Sequence, residues 1–124
     1  MDRYFTLEEA NGLVPEVVRR MEEVAAARHQ FGEAIEAAAE RARGDGHGGT
    51  ESMEVGEELQ GMLQRFHDEG IQVKGVSPAL VDFPALVEGR EVLLCWREGE
   101  EEIRFYHSPE TGFAGRRSIS ELGE

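Results

Sequence analysis

The sequence predicts an α+β protein in which a long antiparallel helical hairpin packs at its open end on a small, three- to four-stranded antiparallel meander. Three observations carry this reading. Apolar residues recur at three-four spacing from Val14 to Ala42, the pattern of a helix that needs a partner. A second such stripe follows the glycine-rich run Gly44-Asp-Gly-His-Gly-Gly49. Beyond Gly70 the apolar period changes to two, with turn residues between the runs.

Thr6-Leu-Glu-Glu9 is a capping box and starts a helix near Leu7. Gly12 and Pro15 then predict an interruption, because proline lacks an N–H and clashes with the turn before it. The reading is a short turn to about Gly12, then a long helix from Val14 or Pro15 to Arg43. Its seam has Val14, Met21, Ile35 and Ala42 at one heptad position, with Arg28 the polar exception, and Val17, Val24, Phe31 and Ala38 at the other. Arg28 is expected to snorkel or to meet a carboxylate of the second helix.

Residues 44–49 form a flexible connector, in which His47 reads as solvated. The second helix runs from Thr50 or Glu51 to Glu69, with Val55, Leu59, Met62, Leu63 and Phe66 inward and Gly70 as a left-handed cap. At 1.5 Å per residue it is about 28 Å long against about 42 Å for the first. Val14, Val17, Val18 and Met21 therefore need another cover, which only the sheet can supply.

That sheet begins with Ala79–Leu86, where Pro84 argues for an edge. The turn Val87-Glu-Gly-Arg90 leads to Glu91–Arg97, which places Val92, Leu94 and Trp96 on one face and Leu93 and Cys95 on the other. Apolar residues on both faces mark it as central. After Glu98-Gly-Glu100, the strand Glu102–His107 groups Ile103, Phe105 and His107 against Arg104 and Tyr106. Ile71-Gln-Val73 offers a fourth, short strand.

At 124 residues the chain forms one domain, residues 1–124: the hairpin spans 6–70, and the meander with a C-terminal Gly-Arg loop spans 71–117. A formal net charge of -13 repels nucleic acid and anionic membrane and suits a basic partner. No apolar run approaches the roughly 18 residues of a membrane helix. A single cysteine, with no basic-then-apolar leader, points to the cytoplasm.

The words Tyr4-Phe-Thr-Leu-Glu-Glu-Ala10, Leu80-Val-Asp-Phe-Pro84, Gly89-Arg-Glu-Val92, Leu94-Cys-Trp96, His107 and Gly112-Phe-Ala-Gly-Arg116 span nearly the whole chain. With them the chain resembles an uncharacterised prokaryotic family, domain-of-unknown-function family 2203. The family pattern favours Trp-His at Tyr106-His107 and proline at Ser118; neither departure removes a titratable group. The resemblance implies a small cytoplasmic protein and no established activity.

The last third of the chain holds the candidate chemistry. His107 is its best single residue, with Asp82 as the partner a buried imidazole needs. Gly112 and Gly115, with Arg116 and Arg117, have the parts of an anion nest. Arg97 is a further cation beside them. Cys95 reads as a small buried hydrophobe, and Trp96 as core with an indole N–H that requires an acceptor. Metal binding would need His107, Asp82 and Glu100 or Glu102 to converge, so no metal, cofactor or catalytic residue is assigned. His29 and His67 fall on solvent-facing helix positions.

The expected function is a non-catalytic interaction or adaptor module that self-associates as a homodimer and meets an unidentified protein partner. The alternative is a small-molecule or anion binder, or an enzyme, with His107, Asp82, Arg116, Arg97, Gly112 and Gly115 at the sheet–helix junction.

Overall fold

The computed structural model describes residues 3–45 and 51–122. Within them two helices, α1 (Leu7–Asp45) and α2 (Glu51–Asp68), precede five strands: β1 (Gln72–Val76), β2 (Ala79–Val87), β3 (Arg90–Arg97), β4 (Phe105–His107) and β5 (Arg117–Ser118). The strands pair antiparallel in sequence order. The α+β architecture is the expected one, with one strand more. Residues 46–49 of the connector, His47 among them, lie outside the described residues.

The capping box forms: the Thr6 N–H donates to Glu9 Oε1 at 2.9 Å, and the Glu9 N–H to Thr6 Oγ1 at 3.0 Å. From there α1 runs unbroken through Gly12 and Pro15, correcting the expected interruption. Proline inside a helix costs about 3 kcal/mol. Ala10 and Val14 before it, and Val17 and Met21 after it, are all buried on one continuous stripe. Each such large side chain contributes about 1.5–3 kcal/mol when buried, so the stripe outweighs the lost bond. Pro15 itself faces solvent.

Past Val24 the seam departs from the heptad. Ile35 is 48% exposed and Arg28 is exposed, while Ala27 and Ala34 are buried. A straight helix drifts by about 20° per heptad, and the stripe follows the helix. The buried arginine is Arg20. Its guanidinium lies 3.9 Å from the Phe66 ring centre and donates to Glu69 Oε1 at 2.8 Å and Glu16 Oε2 at 3.3 Å. Gly70 ends the second helix at φ 85°, with the Ile71 N–H bonded to the Phe66 carbonyl and the Gly70 N–H to that of His67.

α1 has 39 residues and α2 has 18. The sheet covers what α2 leaves bare: Val81, Phe83, Ala85, Leu94 and Trp96 share one core with Val14, Val17 and Met21. A two-residue turn at Glu88 and Gly89, both at positive φ, joins β2 to β3. β2 lies between β1 and β3 and is not an edge strand. Pro84 is tolerated because β1 pairs only as far as Asp82; beyond it the Phe5 N–H bonds to the Pro84 carbonyl at 2.7 Å.

One face assignment is corrected. β4 starts at Phe105, so Ile103 does not continue its alternation. Ile103 lies in the helix-side core, its N–H held by Asn11 Oδ1 at 2.7 Å. Phe105 and His107 belong to the opposite face. No helix among the described residues is long and apolar enough to cross a membrane.

Candidate functional site

The face of the sheet turned away from the helices carries the polar chemistry. In the β2–β3 ladder Asp82 stands directly opposite Cys95, and in the β3–β4 ladder Leu93 stands opposite His107. His107 is therefore the diagonal neighbour of Cys95, within reach of a long side chain. Asp82, Cys95 and His107 are 1%, 2% and 3% exposed. One donor atom from each lies within 4.8 Å of the other two.

Hydrogen bonds fix the imidazole. Its Nδ1 is 2.8 Å from the Ser108 carbonyl, and its Nε2 is 3.0 Å from Asp82 Oδ2. A carbonyl only accepts, so Nδ1 carries a hydrogen. Nε2 and the carboxylate then face each other as two acceptors unless a cation or a proton lies between them. In the metal-free protein that is a shared proton, and the pair is an imidazolium–carboxylate or its neutral tautomer.

Burial, and then the Asp82 charge, push the Cys95 thiol up to about 12, while Arg116 acts the other way. The side chain is a thiol at neutral pH, which fits its reading as a small buried group and not as a nucleophile.

The loop after β4 closes this face. Gly112, at φ 65°, turns the chain into a short 3-10 helix at Phe113–Gly115. There a Cβ on Gly115 would run into the Thr111 side chain. Arg116 then reaches back across the sheet. Its Nη2 donates to the Cys95 carbonyl at 3.3 Å and to both Glu100 oxygens at 2.9 Å. Its Cζ lies 4.3 Å from the Phe105 ring centre and 4.7 Å from that of Phe113.

Of the residues marked in the sequence, the structure thus brings together His107 and Asp82, with Arg116 beside them across Cys95. Gly112 and Gly115 shape the loop that carries Arg116. Arg97 is exposed, and its backbone N–H bonds to Glu100. The Arg116 guanidinium is already committed to an internal carboxylate. The residue that joins His107 and Asp82 is Cys95, which the sequence marks as packing, and not Glu100 or Glu102; Glu100 pairs with Arg116 instead.

Glu100 also receives the Trp96 indole N–H on its carbonyl at 2.8 Å, supplying the expected acceptor. On the other side of the sheet, Glu100 helps to line a cleft of about 740 Å³ between α1 and the β1–β2 and β3–β4 turns. Its floor is apolar, with Val14, Val18, Met21 and Trp96; Glu22, Glu98, Glu100 and Glu101 stand around it.

A family model covers residues 3–119, that of the uncharacterized conserved proteins DUF2203. The chain belongs to the DUF2203 family. No curated protein and no solved structure matches this DUF2203 chain.

Proposed function

We propose that this DUF2203 protein is a non-catalytic interaction module whose cleft takes an apolar, positively charged segment of a partner protein. The observation that supports this reading is the composition of the cleft: an apolar floor bordered by Glu22, Glu98 and Glu101, with Glu100 already held by Arg116, on a chain of net charge -13. An apolar floor supplies affinity, and the carboxylates attract and orient a basic partner. The Asp82–Cys95–His107 cluster lies on the opposite face of the sheet and is buried, so it takes no part in this contact.

Trp96 is the single tryptophan of the chain and lines this cleft, so its fluorescence reports occupancy. The test is a titration with a lysine- and leucine-rich amphipathic helical peptide. Saturable change in Trp96 emission is expected, weakened by salt, by Ala25→Phe and by Glu22→Lys with Glu101→Lys. Absence of saturation, or binding indifferent to these changes, rules the reading out.

Self-association is the second part of the proposal. The central strand does not call for a partner copy, since Leu93, Cys95 and His107 are buried within one chain. The hairpin offers a better surface. Ile35 (48% exposed) and Met53 (67% exposed) lie beyond the Phe31–Gly56 contact, toward the hairpin tip. Sedimentation of the wild type as a dimer, and of Ile35→Lys with Met53→Lys as a monomer, is the expected result. A monomeric wild type removes this part.

A further inference from the structure

We propose that Asp82, Cys95 and His107 form a binding site for one thiophilic divalent transition-metal ion of the zinc class. The inference stands apart from the cleft reading, since the two sites share neither ligand residues nor a face of the sheet.

The donor set is the first ground. A soft sulfur, an imidazole nitrogen and a carboxylate oxygen together suit zinc or cobalt better than magnesium or calcium. Bonds of 2.0–2.3 Å at tetrahedral angles separate such donors by about 3.3–3.6 Å. Here the three atoms lie within 4.8 Å of one another, and one pair is already at 3.0 Å. A contraction of about 1 Å brings them to bonding distance of a common centre.

The orientation of the imidazole is the second. A ligating histidine holds its other N–H on a carbonyl or carboxylate, which fixes the tautomer and aims the free lone pair. The Ser108 carbonyl does this for Nδ1 and aims Nε2 at Asp82.

Charge is the third. Without metal, the thiol and the proton-sharing Asp82–His107 pair sum to zero. A divalent ion with a thiolate, a carboxylate and a neutral imidazole also sums to zero. The ion therefore leaves the buried charge unchanged. The neighbouring cation does not oppose this, because Glu100 pairs with Arg116 through both oxygens.

The test is a titration of chelator-stripped, full-length protein with Co²⁺, followed by Zn²⁺. Expected are one Co²⁺ per chain, a near-ultraviolet thiolate-to-cobalt charge-transfer band, visible bands of tetrahedral intensity, and displacement by Zn²⁺ with a rise in melting temperature. Cys95→Ser should abolish the charge-transfer band, and His107→Gln should weaken Co²⁺ binding by at least about tenfold. Circular dichroism checks that both variants are folded. The wild-type spectrum alone can overturn the proposal: stoichiometric Co²⁺ without a thiolate band places the ion elsewhere, and no Co²⁺ binding removes the site. Unaltered binding in folded His107→Gln also overturns it.

Discussion

Arg20 and Glu69 join the two helices at the point where α2 ends, with Arg20 Nη1 2.8 Å from Glu69 Oε1 and the arginine side chain 8% exposed. The guanidinium rests on Phe66, so the contact combines an ion pair with packing on an aromatic face. It sits where the chain leaves the hairpin for the sheet.

Arg20→Ala should therefore destabilise the protein by about 2–3 kcal/mol, through lost packing and a lost charge-assisted bond. Glu69→Gln should cost less, about 1 kcal/mol, because Glu69 is 38% exposed and Glu16 still pairs with the arginine. Urea unfolding of both variants measures the order; a larger loss at Glu69 contradicts it.

Cys95 gives a pH dependence of known sign. Its thiol is raised from 9.0 to about 12 in the folded state, by burial first and by Asp82 second. Below pH 9 both folded and unfolded chains keep the proton, and its contribution is fully present. Between pH 9 and 12 the unfolded chain ionises first, so stability falls by about 1.4 kcal/mol per pH unit from this group. Metal-free wild type should lose stability faster over that window than Cys95→Ala. Iodoacetamide at pH 8 should label the thiol only in denaturant.

The glycines of this chain separate into opposite outcomes. Gly12→Ala and Gly61→Ala meet open space inside helices and should each add about 0.5–1 kcal/mol. Gly70→Ala should cost 1 kcal/mol or more, by the rough scale of left-handed strain, since φ is +85° and the new Cβ would stand 2.9 Å from that of Arg3. Thermal melts of the three variants suffice. Glu88, a non-glycine residue at φ 53°, predicts the reverse gain: Glu88→Asn should stabilise the β2–β3 turn by about 0.5 kcal/mol.

Arg116→Lys should fail to replace the arginine. Lysine loses the planar group set against Phe105 and Phe113. A loss of about 2 kcal/mol is expected by the scale for buried charged networks, with faster proteolysis in the 108–116 loop. Wild-type proteolytic resistance in this variant would mean that the loop is held by other contacts.

Much of this architecture was legible because it depends on local rules. The Thr6–Glu9 box, the Gly70 cap and the length mismatch between the helices each follow from a few residues. The pairing of Asp82 with Cys95 is not among these readings, although counting outward from the turn at Val87 and Arg90 sets one opposite the other. What the sequence left open were choices made by distant partners. Apolar residues on both faces of β3 do not say which face the helices take. β5 has two residues, too few for any alternation. Arg20 is polar at a position whose burial depends on Phe66 and Glu69, far along the chain. Pro15 was overridden by the stripe that passes beneath it.

The unequal lengths of α1 and α2 have a dynamic consequence. α1 is one rod of about 58 Å by its 39 residues. Its proximal turns lie under the sheet, its middle under α2, and residues 41–44 at its far end are exposed. Amide exchange along this single helix should thus be graded: fastest at the tip, slower past Ala34, and slowest from Val14 to Val24, where opening requires the whole molecule to unfold. A pull or a docking event at the tip would be felt first as fraying there, and only at higher cost as a tilt of the sheet.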